Sequence, residues 1–310
     1  MKIKTFLKHI SPFNDCQETP AAFYVIKKML AFFLVYGVGA VIGGVLITGV
    51  LCAMGVDPMS GDMTSGHLVE LSTYYGFATF GLAAALYCRL IEKRDIKSMG
   101  FNSAVLDYIV GAVAAGLLLA AIVGVCCATG ALRFVCVTSA ADAPYLLALF
   151  FAFFIQSMAE ETLCRGFLFK SLSRKVSMPL AIFVSATAFA IPHLGSVLEA
   201  DAWFAVIGVL NLYLVSVVFS LLYALRANIY VVGGLHCLWN FVLNGVMGLS
   251  VSGSAENGNA LLRFQVPAQN ILNGGVYGLE ASIVTTFVLG ITAAILVILC
   301  HKRRIHSGIQ

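Results

Sequence analysis

Charge is what this chain lacks most. Asp, Glu, Lys and Arg make up 11% of its 310 residues while 60% are hydrophobic, against about 25% charged and about 45 to 50% apolar in a soluble domain. That balance excludes a water-soluble fold. No polar insert is long enough to fold by itself, and the longest polar connection, 252–280, is rich in Gly and Asn. Residues 1–310 therefore read as a single membrane domain, with 1–28 as a cytoplasmic or interfacial N-terminal segment. Nine cysteines are present, but apart from Cys126 and Cys127 they are scattered singly, mostly within apolar runs. A disulfide framework or a CxxC metal knuckle is not expected. HExxH and HxxEH are missing too, and no internal repeat supports an inverted-repeat transporter.

What is present is a series of apolar runs near or above the ~18 residues that cross a bilayer. Eight spans fit, at 29–54, 71–90, 105–130, 143–169, 178–197, 202–225, 228–249 and 281–300. The expected fold is an all-α membrane bundle of about eight transmembrane helices with a polar site inside it. Thr19 and Pro20 suit an N-cap and first helical position, so the first helix is expected to begin before it enters the membrane near Lys28. Its apolar run is too long for a signal-peptide core and lacks a clear small-residue cleavage pattern, so it is read as retained. Small residues at four-residue spacing, Gly39 with Gly43 and Ala112 with Gly116, suit close helix approach.

The few basic residues are strongly sorted. With eight crossings, Lys2, Lys4, Lys8, Lys27, Lys28, Arg89, Lys93, Arg94, Lys97, Lys170, Arg174, Lys175, Arg226, Lys302, Arg303 and Arg304 fall on one side, 16 of the 19 Lys and Arg residues. Only Arg133 and Arg263 fall in the opposite loops, which hold Asp57, Asp62, Asp142, Glu199, Asp201, Glu256 and Glu280. The positive-inside rule then places both termini in the cytoplasm, of a bacterial plasma membrane on this reading. Because topology explains the basic residues, nucleic acid is not an expected partner. Membrane lipids are.

Charged side chains at bilayer depth cost about 2.5 to 3.5 kcal/mol each on insertion scales, so they carry a functional hypothesis. Glu160, Glu161 and Arg165 stand in the fourth span. Glu161 and Arg165, four apart, share a helix face and can neutralise one another. Glu160 is turned by about 100° and has no partner at its own helical spacing, which leaves its carboxylate for chemistry. The fifth span holds Phe189-Ala-Ile-Pro-His193, where Pro192 can disrupt the backbone ladder beside His193. In the seventh, His236 and Asn240 are four apart and point to one side. Taken singly, each of these groups also fits a packing or interhelical hydrogen-bonding role.

Taken together, EExxxR, FxxxH and HxxxN on successive membrane segments resemble the CPBP (Abi) family, which includes type II CAAX prenyl proteases and bacteriocin-processing relatives. Glu160, Glu161 and Arg165, then Phe189 and His193, then His236 and Asn240 match without departure. The later stretch Asn273 to Ser282 is similar, more weakly, to bacterial members. The resemblance implies an intramembrane endopeptidase whose catalytic helices lie within 143–249. Glu160 and His193 would hold and activate a water, while His236 and Asn240 would donate to the oxyanion. Glu161, Arg165 and Phe189 would support them. The substrate would be a peptide or protein, lipidated or membrane-embedded. A zinc site on Glu160, His193 and His236 competes with this scheme, because two histidines and a carboxylate are a common hydrolytic ligand set. The scheme without a cofactor is preferred. Two other classes stay open on sequence: a non-catalytic scaffold or bacteriocin-immunity protein, and a small-molecule transporter.

Overall fold

The computed structural model describes residues 3–14, 18–57, 66–102 and 104–306; Lys2, Asp62 and the loop position Gly61 lie outside them. The chain forms α1 (Ile3–Ile10), α2 (Ala21–Ala53), α3 (Gly66–Gly76), α4 (Ala78–Leu90) and α5 (Leu106–Ala128). Then follow α6 (Ala143–Leu172), α7 (Met178–Val197), α8 (Ala202–Arg226), α9 (Ile229–Val246) and α10 (Ile283–His306). Among the described residues, seven helices are long and apolar enough to cross a membrane: α2 and α5 to α10. The remaining expected crossing, 71–90, is present as two helices rather than one. α3 ends at Gly76, and the backbone tightens there as Phe77 N donates to Tyr74 O at 3.1 Å. Glycine weakens a helix interior, yet a Cβ at Gly76 would stand 2.3 Å from Ile47 Cδ1, so the packing against α2 keeps it.

Other boundaries shift for local reasons. The first intrahelical bond of α2 runs from Tyr24 N to Pro20 O, so Pro20 rather than Thr19 is the N-cap. α6 does begin with a side-chain cap, Asp142 accepting from Tyr145 N at 3.2 Å. It runs on to Leu172, with a π-helical stretch at Thr162–Phe169. α8 ends on Ala227 in the left-handed region, and Asn228 caps α9 by accepting from Tyr230 N at 2.7 Å. That tight turn is tied to α5, since Asn228 Nδ2 and Arg226 both donate to Asp107. Two short strands, β1 (Arg133–Val137) and β2 (Leu262–Gln265), were not anticipated. They pair antiparallel and clip the loop after α5 to the loop after α9.

α9 packs along α5 and α6, α8 along α7 and α10, and α2 along α4. Of the two small-residue pairs, Gly39 and Gly43 do meet α4: a Cβ at Gly39 would fall 2.9 Å from Phe80 Cα. Gly116 meets nothing within 4 Å. On α5 the close approach is made one position round the helix, at Gly111, where a Cβ would fall 1.9 Å from Val231 O. The outward faces carry exposed Val41, Val45, Val113, Leu117, Phe287 and Ile291. On a soluble protein such a belt would aggregate; on this one lipid covers it.

Candidate active site

Local structure places each motif. Glu160 and Glu161 stand at the point where α6 gives way to its π-helical stretch, a distortion that recurs at functional sites. The fully buried Arg165 Nη1 donates to Glu161 Oε1 at 2.9 Å, so the ion pair read from the four-residue spacing is present. The guanidinium also donates through Nη2 to Ser216 Oγ at 2.5 Å and lies between two rings, 4.8 Å from the Phe189 centroid and 5.1 Å from Phe219. Buried charge is costly unless paired and hydrogen-bonded; here carboxylate, hydroxyl and two aromatic faces share the task.

Phe189 and His193 are joined by backbone as well as spacing. Pro192 cannot supply an N–H to the ladder, and the last turn before His193 is 3-10. His193 Nδ1 donates back to Phe189 O at 2.8 Å, which turns its Nε2 outward. His236 on α9 donates through Nδ1 to Glu161 Oε1 at 3.0 Å, and its Nε2 stands 3.9 Å from Glu160 Oε2. Both histidines thus use Nδ1 for orientation and keep Nε2 for other work.

The reading of Glu160 as unpartnered needs correction. Gln156, one turn earlier, donates to Glu160 Oε1 at 3.3 Å and accepts from Asn240 Nδ2 at 3.4 Å. Gln156 is uncharged, so Glu160 has no neutralising cation at that spacing. Its other oxygen, Oε2, has no hydrogen-bond partner among the described residues. Glu161 is likewise more than half of an ion pair, since one of its oxygens serves Arg165 and His236 together.

These groups surround a cavity of about 420 Å³. Glu160 and His193 are in its wall, with Gln156, Ser196 and the loop Val251–Ser254. Phe32, Tyr36, Tyr74, Phe77, Phe80 and Phe153 make the remainder strongly aromatic. His236 and Asn240, 6% and 4% exposed, sit behind Glu160 rather than in the wall. The site therefore has two tiers. Glu280, outside all three motifs, reaches toward the site: Trp239 Nε1 donates to its Oε1 at 3.0 Å, and Ser252 N to its Oε2 at 2.5 Å. It secures the cavity-lining loop to the helix that carries Asn240.

A zinc ion was the competing reading for Glu160, His193 and His236. Among the described residues, no group of three or more His, Cys, Asp or Glu side chains is placed to hold a metal ion. As arranged, the three residues do not form such a group.

A bundle of membrane-length apolar helices enclosing a buried site of two carboxylates, two imidazoles and a carboxamide defines the chain as an all-α integral membrane protein with an internal polar centre. Residues 142–242 match the family model described as type II CAAX prenyl endopeptidase, Rce1-like, and that stretch contains every motif residue from Glu160 to Asn240. Over these residues, about a third of the chain, the protein is similar to that endopeptidase family. No curated protein and no solved structure matches the chain.

Proposed function

We propose that the protein is an intramembrane endopeptidase in which Glu160 activates a water molecule. The observation that carries this reading is a carboxylate with one uncommitted buried oxygen, set in the wall of a cavity beside His193 and 3.9 Å from a second histidine. Peptide hydrolysis inside a membrane needs a held water, a base and donors for the oxyanion. Glu160 takes one proton from water while His193 Nε2 accepts a hydrogen bond from the other and fixes its direction. The hydroxide oxygen bonds to the carbonyl carbon, and the carbonyl oxygen becomes the oxyanion. For Asn240 Nδ2, released from its long bond to Gln156, and His236 Nε2 to donate to it, the carbonyl oxygen must pass Glu160 into the inner tier where they sit; a well-placed donor of this kind is worth about 2.7 to 4 kcal/mol. His236 donates through Nε2 only as the imidazolium, whose charge would be balanced by Glu161 at 3.0 Å and Glu160 at 3.9 Å. Glu160 then passes its proton to the departing nitrogen as the C–N bond breaks.

On this account the membrane is the cell membrane, with both termini cytoplasmic, and the substrate is a peptide or protein, lipidated or membrane-embedded. The test is turnover by purified protein with and without Glu160→Gln, each before and after dialysis against a chelator. Activity is expected to survive chelation and to vanish in Glu160→Gln. Loss on chelation with recovery on adding zinc would replace the glutamate scheme by the metal one.

A further inference from the structure

The two ends of the cavity are lined differently. Its floor is made by Phe32, Phe80, Leu163, Cys164 and Phe189, all buried. Below Phe32, one helical turn nearer the basic end of α2, Lys28 Nζ pairs with Glu92 Oε1 at 2.5 Å. Arg94 Nη1 meets Glu92 Oε2 at 3.0 Å and donates to Ser171 Oγ at 2.7 Å, while Arg94 Nη2 donates to Gly166 O at 2.8 Å. Tyr24 adds a bond to Ser171 O at 3.1 Å. This network ties α2, the turn after α4 and the end of α6 into a plug whose charges are all buried. Such a cluster is costly to open, because separating any member leaves a charge unpaired away from water.

The opposite end is built differently. His193, Ser196, Ser252 and Ser254 are half-buried in the wall, and Pro192 and Gly253 are exposed. Four of these six carry a hydroxyl or an imidazole. All six belong to the end of α7 or to the loop after α9. α7 starts at Met178 beside Arg174 and Lys175, and it ends at Val197. At ~1.5 Å per residue, His193 lies about 22 Å from that basic end and about 6 Å from the other. The polar rim is therefore on the face away from the loops that hold 16 of the chain's 19 Lys and Arg residues. The positive-inside rule makes that face extracytoplasmic.

We infer that substrate enters this site from the extracytoplasmic face, and that the bond cut lies in a peptide segment emerging there, such as an exported peptide or the outer end of a membrane span. The serine rim meets the polar backbone of such a segment, and the aromatic floor takes an apolar side chain next to the scissile bond. A chain end presented from the cytosol would meet the Lys28, Glu92 and Arg94 plug instead. This inference rests on the protease reading for its substrate class, but its geometry is testable without catalysis.

The experiment is thiol labelling of the full-length protein in intact cells with a membrane-impermeant maleimide. The exposed Cys52, Cys127 and Cys136, together with Cys16, are first replaced by Ser. Ser252→Cys is the rim reporter, Ser196→Cys a second one in case the first fails to fold, and Arg174→Cys marks the basic face. Both rim positions are expected to label before permeabilisation and Arg174→Cys only after it. Rim labelling only after permeabilisation would overturn the inference, and so would no labelling of a folded rim variant in either condition. Glu160→Gln introduced into the Ser252→Cys protein should leave labelling unchanged. Loss of catalysis and loss of outer access are therefore read separately.

Discussion

Glu160 and Glu161 are adjacent in sequence, yet their surroundings assign them different work. Glu161 is fully buried and accepts from Arg165 and His236, while Glu160, a residue of the cavity wall, keeps a buried oxygen without a hydrogen-bond partner. Glu161→Gln should therefore cost stability first: breaking a buried ion pair by removing one partner costs about 3 to 5 kcal/mol. A lowered melting temperature in detergent and reduced abundance in the membrane are expected, with some turnover per folded molecule. Glu160→Gln should melt close to the parent and be inactive. A stable, inactive Glu161→Gln beside an active Glu160→Gln would exchange the two roles. The ion pair was legible because the four-residue rule is local. Gln156 was legible by the same rule, standing four residues before Glu160, but an uncharged carboxamide in an apolar run draws no attention. Ser216 and Phe219 gave no signal at all, because only the tertiary packing of α8 against α6 brings them to Arg165.

At the scale of elements, the chain's apolar runs set where helices lie, and their interruptions matter most for function. Pro192 turns the end of α7 into a 3-10 step that aims His193, and the π-helical stretch of α6 follows directly on the two glutamates. The first could be anticipated from proline's missing N–H. The second could not, since a π-helical stretch depends on what the neighbouring helices demand. Glu280 shows the same limit, lying in a Gly-rich stretch whose resemblance to bacterial relatives suggested no role. The structure has it join Trp239 on α9 to Ser252 in the cavity-lining loop. Ser252 and Gly253 have positive φ values of 50° and 81°, so this loop holds its shape through such anchors. In Glu280→Gln one of the two N–H donors faces an amide nitrogen instead of an oxygen. Amide hydrogen exchange across 250–255 is expected to quicken while exchange in α6 is unchanged. Unchanged exchange in the loop would mean that Glu280 does not hold it.

Across the whole molecule, seven of the eight expected spans were legible from hydropathy as membrane-length helices, and the eighth, 71–90, is a helix pair. α3 and α4 together occupy the stretch read as the second crossing, and counted as one crossing they keep the alternation on which the charge bias rests. Reporter fusions at Ala200 and Gly258, and at Gly61, are expected to report the outer side, and a fusion after His301 the cytoplasm. A cytoplasmic signal at Ala200 would break the threading and, with it, the direction of substrate entry. The strands β1 and β2 escaped notice because four or five residues between polar loops carry too little pattern. Their effect is confined to tying two loops on the face that bears the cavity's rim.

The central claim is that Glu160 makes this membrane bundle a protease. It is tested most directly by comparing protein N termini in the membrane and exported fractions of cells that carry the parent protein or Glu160→Gln at matched abundance. The account predicts a set of new N termini that is present with the parent and absent with Glu160→Gln. Identical sets of termini in the two strains would contradict it.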